Sequence, residues 1–239
     1  MKRIAAYLIV AAMLLLPTPT SAISERSYGN LYCRNAASTK KIALTFDDGP
    51  HPRYTKEILK ILAEYKIPAT FFIIGINAEN YPEDLQAIVE AGCEVGNHTY
   101  SHARMRNMDA QTARQELLHC QAVIERLTGI RPTLFRPPEG IFSENLYGLT
   151  EELQYRIVLW SIDTKDWAMN PSDAIAETVM SQLRGGDIIL MHDYVSGGNT
   201  TCNALRTIIP KILSQGYTFV TVSELIKGDC ALCAIPLHF

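Results

Sequence analysis

The sequence predicts an α/β protein: parallel strands covered by helices, in a closed or nearly closed (β/α) barrel of about seven strands or in an open doubly wound sheet. Three observations predict it. Short apolar or β-branched runs alternate with amphipathic helical patterns from Lys41 to Val222. Polar clusters follow one strand after another, as expected where a site gathers at the carboxyl ends of parallel strands. No Pro/Gly/Ser-rich linker or internal repeat divides the chain, and 239 residues suffice for one sizeable core or two small ones.

The elements follow in order. Residues 41–46 read as a strand ended by Asp47-Asp48-Gly49-Pro50. Thr55 is placed to cap a helix with Ile58, Leu59, Leu62 and Tyr65 on one face. Residues 70–74 form a buried strand, and Pro82 opens a helix that stops at Gly92. Residues 94–96 are short and extended. Asp109 is placed to cap a helix that carries Ala113, Leu117, Cys120, Ile124 and Leu127 at helical spacing and ends at Gly129. Strands at 133–135 and 156–160 come next, with Trp160 read as core. A helix after Asn170-Pro171 sets Ile175, Val179 and Leu183 on one side. A strand at 187–191, a helix at 204–213 and a last strand at 217–222 complete the pattern.

Composition narrows the function classes. Hydrophobic residues make up 47% and charged residues 20%, which excludes a disordered chain. The net charge of -3 argues against a nucleic-acid partner. Lys2 and Arg3 precede an uncharged apolar run of 13 residues, broken by Pro17 and followed by Thr20-Ser21-Ala22. That layout predicts a signal peptide over 1–22 and a secreted protein, extracellular, in the cell wall or periplasmic. The run is short for a membrane span, so none is expected after cleavage; an uncleaved N-terminal anchor is the alternative. The remaining boundaries are a flank over 23–39, one catalytic domain over 40–227 and a tail over 228–239, in a chain expected to be monomeric. Cleavage removes two positive charges and no negative ones, taking the net charge from -3 to -5. In an oxidising compartment Cys33, Cys93, Cys120, Cys202, Cys230 and Cys233 could all pair, and a bridge between the two ends of the mature chain is one option.

The polar clusters carry the chemistry. His98 and His102 are four apart, a spacing that on a helical turn lets both imidazoles share a cation. Asp47 and Asp48 leave a strand side by side and point in different directions, so one carboxylate can bind metal while the other does chemistry. Two histidines and one carboxylate with open positions describe a hydrolytic divalent-metal site. Nitrogen and oxygen ligands suit zinc most, with cobalt, nickel, iron and manganese allowed.

Thr45-Phe46-Asp47-Asp48-Gly49-Pro50, His98-Thr99-Tyr100-Ser101-His102, Arg136-Pro137-Pro138, Asp163-Thr164-Lys165-Asp166-Trp167 and Leu190-Met191-His192 occur in this order. Together they resemble the polysaccharide deacetylases, the NodB-homology carbohydrate esterases, over nearly the whole mature chain. The resemblance implies a distorted (β/α) barrel and a metal-dependent hydrolase that removes N-acetyl groups from N-acetylglucosamine units of a peptidoglycan or chitin-type polysaccharide or oligosaccharide. An O-acetyl xylan esterase, another amide hydrolase or a non-catalytic glycan-binding module are the alternatives. The resemblance implies Asp48, His98 and His102 as metal ligands, and Asp47 as the base that takes a proton from the attacking water. It makes Arg136 the partner that orients this base, and His192 the acid that protonates the leaving amine. Asp166, with Asp163 as second choice, would support His192. The backbone N–H of Glu139 would face the oxyanion, and Trp167 and Leu190 would line the acetyl pocket. Many relatives carry an aromatic where Glu139 stands, which puts substrate preference in question. His51, His119 and His238 are expected to do no chemistry, and Asn199-Thr200-Thr201 matches a glycosylation acceptor.

Overall fold

The computed structural model describes residues 29–141, 143–194 and 200–227; the expected signal segment 1–22, the tail 228–239, Asn199, Cys230 and Cys233 lie outside the described residues. The chain runs β1 (Leu31–Tyr32), β2 (Lys41–Gly49), α1 (Tyr54–Tyr65), β3 (Thr70–Ile73), α2 (Gly75–Asn80), α3 (Pro82–Glu90), β4 (Glu94–Asn97), α4 (Ala110–Thr128) and β5 (Leu134–Phe135). It continues through α5 (Glu144–Glu152), β6 (Arg156–Val158), β7 (Ile162–Asp163), α6 (Ser172–Gln182), β8 (Ile188–His192), α7 (Thr200–Ser214), β9 (Thr218–Phe219) and α8 (Val222–Leu225). Single 3-10 turns lie at Pro138–Gly140 and Asp166–Ala168.

The strands pair in parallel in the order β1-β6-β5-β4-β3-β2-β8-β7, with β9 beside β2. This is the distorted (β/α) barrel that the sequence predicts. Among the described residues nine strands form it rather than about seven, because β1 and β7 are two residues each and too short to show a period. Residues 31–32, inside the segment read as a flank, thereby become an edge of the sheet.

Side-chain alternation sorts the strands into two layers. Ile42, Leu44, Phe46, Phe71, Ile73, Val95, Ile189 and Met191 pack outward against helical residues such as Ile58, Leu62, Leu85, Ile124 and Ile208. Their neighbours Ala43, Phe72, Leu134, Val158 and Ile188 point inward and meet Val220, Val222, Leu225 and Ile226, which close the bottom of the barrel. On the same inward side, one or two pleats nearer the carboxyl ends, stand Thr45, Asp47, Arg136, Leu190 and His192. The fold thus fills its lower half with apolar side chains, and polar ones predominate in the upper half, with Leu190 among them.

Local signals mostly acted as read. Asp109 caps α4 by accepting from the N–H groups of Gln111 and Thr112, and Gly129 ends that helix at φ 73°. Thr55 does not cap α1; the N-cap is Arg53 without a side-chain bond, and the Thr55 hydroxyl is used elsewhere. Trp160 lies just past β6 and is half-buried rather than core. Cys93, Cys120 and Cys202 are buried free thiols, so the six cysteines do not all pair. Among the described residues no helix is long and apolar enough to cross a membrane.

Phe71 is fully buried and stacks on Phe46 at 5.0 Å between sheet and helices. Phe71→Ala is expected to lower unfolding stability by about 3–5 kcal/mol in urea titrations; a loss below ~1 kcal/mol would contradict this packing.

Candidate active site

The site is built from five strand ends, and Arg136 is its anchor. Arg136 follows β5 and is fully buried, an expensive place for a guanidinium unless each donor is used. Its Nε donates to the Val158 carbonyl at 3.1 Å and Nη2 to the Leu159 carbonyl at 2.9 Å. Nη1 donates to Thr45 Oγ1 at 2.8 Å and to Asp47 Oδ1 at 2.7 Å. The guanidinium also lies 4.1 Å over the Phe72 ring. Asp47 is thereby fixed inside the barrel, 3% exposed, as a charged acceptor.

Asp48 cannot follow the strand alternation. The β2–β3 register shifts between Asp47 and Gly49, and Asp48 takes φ 75°. That bend swings its carboxylate out of the barrel wall toward His98 and His102. Asn77 holds the bend by donating to the Asp48 carbonyl at 2.8 Å. Asp48 Oδ1 lies 3.4 Å from His98 Nε2 and 3.2 Å from His102 Nε2. Burial alone would raise the Asp48 pKa, but the charges of His98, His192 and His102 beside it bring it down to about 2. Burial pushes His102 down, whereas Asp47 and Asp48 carry His98 up against its burial.

The two histidines do not sit on a helical turn, as the spacing suggested. His98 directly follows β4, and the loop bends back because Thr99 and His102 adopt φ 68° and 58°. Glu116 of α4 fixes this loop, accepting from Tyr100 N–H, Ser101 N–H and the Ser101 hydroxyl at 3.0, 2.8 and 2.9 Å. No motif flagged Glu116, because its partners are backbone groups.

Asp48, His98 and His102 can hold a metal ion, their donor atoms lying within 4.8 Å of one another. The donor set fits a divalent cation on three counts. Asp48 Oδ1 is a buried oxygen without a hydrogen-bond partner. His98 Nδ1–H donates to the Arg136 carbonyl at 2.7 Å, which leaves the Nε2 lone pair for a ligand. The 3.2 and 3.4 Å separations suit donors sharing one ion at roughly 2.1 Å.

His192 closes the other side of the mouth. Its Nδ1–H donates to Asp166 Oδ1 and its backbone N–H to Asp166 Oδ2, both at 2.8 Å. Thr201 donates to the same Oδ2 at 2.8 Å, and Trp167 N–H to Oδ1 at 3.0 Å. Asp163 instead accepts from Lys165 N–H and the Trp167 indole, so Asp166 is the residue that touches His192. Burial lowers the His192 pKa, but the Asp166 bond and the charges of Asp166, Asp47 and Asp48 outweigh it and bring it to about 9. Thr201 entered the sequence reading only as part of a glycosylation match; its buried hydroxyl serves Asp166.

The other expected residues take the rim and wall. Leu190 is buried one pleat below His192, whereas Trp167 is 55% exposed at the edge. Glu139 adopts φ 61°, and its half-exposed carboxylate pairs with Arg104 Nε at 3.0 Å. Arg104 therefore partly offsets the negative charge of Glu139. Asp193, beside His192, is buried with Oδ1 unpartnered; burial and then the charges of Asp48 and Asp47 raise its pKa to about 7, against the Thr55 bond and the His192 charge.

The model of the polysaccharide deacetylase family matches residues 34–158. The chain is 38% identical over 190 residues to a peptidoglycan-N-acetylglucosamine deacetylase of Bacillus cereus, covering 79% of this chain and 89% of that protein. It is 40% identical over 186 residues to the peptidoglycan-N-acetylmuramic acid deacetylase PdaC of Bacillus subtilis, covering 78% of this chain but only 38% of that longer protein. Among solved structures, a CE4 family pseudoenzyme of Bacillus anthracis is similar with a TM-score of 0.78 at 31% identity, covering 83% of this chain and 69% of that one.

His98→Ala is expected to weaken zinc binding at least ~100-fold in calorimetric titrations, since even outer-shell changes cost about 10–100-fold. Arg136→Ala leaves a buried carboxylate uncompensated and is expected to cost about 3–5 kcal/mol of folding stability. Unchanged denaturation of this variant would remove Arg136 as the anchor.

Proposed function

Because the chain belongs to the polysaccharide deacetylase family, we propose that it is a secreted, metal-dependent hydrolase that removes N-acetyl groups from N-acetylglucosamine units of a peptidoglycan or chitin-type glycan. The observation that carries this reading is convergence. An Asp/His/His cation site, an arginine-held carboxylate and an aspartate-held histidine meet at one barrel mouth. The names of the relatives supply the glycan class, and they differ between N-acetylglucosamine and N-acetylmuramic acid.

Asp48, His98 and His102 would hold the metal, zinc by preference. A divalent cation there supplies Lewis-acid polarisation of a carbonyl and acidifies water. Asp47 accepts the proton from the attacking water, its Oδ1 turned to Arg136 and Oδ2 facing His98 at 3.8 Å. The backbone N–H of Glu139 stabilises the developing oxyanion, a contribution of roughly 3–4 kcal/mol per donor in comparable sites. His192 keeps Nδ1 on Asp166 and gives the Nε2 proton to the departing amine. Leu190 and Trp167 flank the acetyl methyl. The basic and apolar start of the chain supports export through cleavage after Ala22, and an uncleaved anchor is the alternative. A disulfide at Cys33 would suit the same compartment.

Acetate release from N-acetylglucosamine oligomers and from peptidoglycan tests the reading, with O-acetyl xylan as the competing substrate. Chelation is expected to abolish release and zinc to restore it; turnover that survives complete chelation would refute the mechanism. Asp47→Asn is expected to lower kcat by about 10²–10⁴-fold while sparing zinc binding. The rate should fall as pH rises through about 9, where His192 loses its proton. Asp166→Asn removes what raises that pKa and should move this limb to lower pH, and an unmoved limb would exclude His192 as the acid.

A further inference from the structure

We propose that His51, Tyr54 and Tyr194 form an aromatic platform on the rim of the mouth that stacks on a pyranose ring next to the sugar being deacetylated. The proposal rests on the reading of the substrate as an N-acetylated glycan. His51 was expected to be a bystander in the sequence. In the structure its ring lies 4.8 Å from Tyr54 and 4.9 Å from Tyr194, with interplanar angles of 29° and 17°. Tyr54 and Tyr194 are 6.3 Å apart, and Tyr194 is 47% exposed. None of the three belongs to a hydrophobic core cluster. His51 and Tyr54 are half-buried and Tyr194 is exposed, so the trio keeps ring surface open to solvent and has a recognition role to offer rather than a packing one.

The His51 ring is anchored, which separates it from a chance surface contact. His51 Nδ1 accepts from the backbone N–H groups of Arg53 and Tyr54 at 3.2 and 3.3 Å, so its ring cannot rotate freely and the proton sits on Nε2. The His51 N–H donates to Thr55 Oγ1 at 2.8 Å, and that hydroxyl donates to the buried Asp193 Oδ2 at 2.5 Å. Asp193 in turn donates its own N–H to the Asp47 carbonyl at 3.2 Å. A Cβ at Gly49 would overlap the Asp193 carboxylate, so the two loops are in close contact. His51 is therefore tied through Thr55 and Asp193 to the backbone of Asp47.

Position and chemistry select the occupant. His51 follows Asp48 by three residues and Tyr194 follows His192 by two, so both rings are carried by the segments that leave the site-bearing ends of β2 and β8. A pyranose with equatorial substituents presents a face of axial C–H groups, slightly positive and apolar, which suits the negative face of an aromatic ring. The phenol hydroxyls and His51 Nε2–H can then bond the equatorial hydroxyls at the ring edge. A glycan crossing the mouth from His102 toward His192 would extend over this platform.

Oligomer length provides the test, with the full-length zinc-loaded protein, its Tyr194→Ala and Tyr194→Phe variants, and N-acetylglucosamine dimer and pentamer. Tyr194→Ala is expected to lower kcat/KM on the pentamer about tenfold (~1.4 kcal/mol), mainly through KM, and to do so at least about fivefold more than on the dimer. Tyr194→Phe keeps the ring and should recover most of the loss. Calorimetric pentamer binding should weaken in parallel in the alanine variant. Equal losses on both lengths, or none, overturn the platform while leaving the deacetylase reading intact. Pentamer binding without acetate release in the wild type overturns the enzymatic reading, and the binding loss then decides the platform alone. Neither binding nor release overturns both.

Discussion

The Arg136–Asp47 ion pair is the constraint around which the barrel mouth is organised. Placing a guanidinium at zero exposure costs several kcal/mol in desolvation, and an ion pair rarely recovers that by attraction alone. The structure offsets the cost by spending the Arg136 donors on four oxygens from β2, β6 and the residue after β6. Aromatic faces of Phe72 and Trp160 cover its plane at 4.1 and 5.6 Å. The result is less a stabilising contact than a fixed reference charge. Strand ends that share one guanidinium cannot drift relative to each other without leaving a buried group unpaired.

From that reference the neighbouring aspartates divide their work. Asp47 keeps the alternation of β2 and points into the barrel, whereas Asp48 breaks it at the register shift and points across the mouth. Positive φ recurs at Thr99, His102, Glu139 and Lys165, all in loops that follow strands. Such conformations cost of order 1 kcal/mol or more each in non-glycine residues and persist where surrounding contacts over-determine them. Asn77 and Glu116 are among those contacts, bonding the backbone of the strained segments. Helices on the outside of the barrel thus act on the site through its loops.

The sequence made the scaffold legible where periods were long enough to count. The Asp109 cap, the Gly129 stop and the outward row Ile42, Leu44 and Phe46 are signals of local physics, and each acts as read. β1 and β7 escaped because two residues carry no period. The His98–His102 spacing pointed to the right partners for a different reason than the actual one, since a left-handed loop delivers what a helical turn would have. Thr55 shows the limit of cap rules: its hydroxyl is drawn off by a tertiary partner, Asp193, that sequence distance hides. The choice between Asp163 and Asp166 was open for the same reason. Burial and a shared hydrogen-bond set decide it, and both are properties of the folded state.

Exposure then falls into a gradient that matters for chemistry. Arg136, Asp166, His98 and Asp47 form a dry floor, and His192, Asp48 and His102 rise progressively toward solvent at 13%, 28% and 38% side-chain exposure. Charges on the floor are strongly felt because little water screens them. Groups nearer the surface can exchange protons with solvent. A pseudoenzyme with a similar fold makes the converse point, that strands and helices alone do not confer turnover. Each side chain at the mouth hangs on a neighbour behind it: His98 on the Arg136 carbonyl, His192 on Asp166, and Asp166 on Thr201. One substitution among the reacting groups can silence such a site while every supporting bond, and hence the fold, survives. Family likeness therefore fixes the scaffold, whereas activity must be argued from whether the reacting atoms and their supports are all in place.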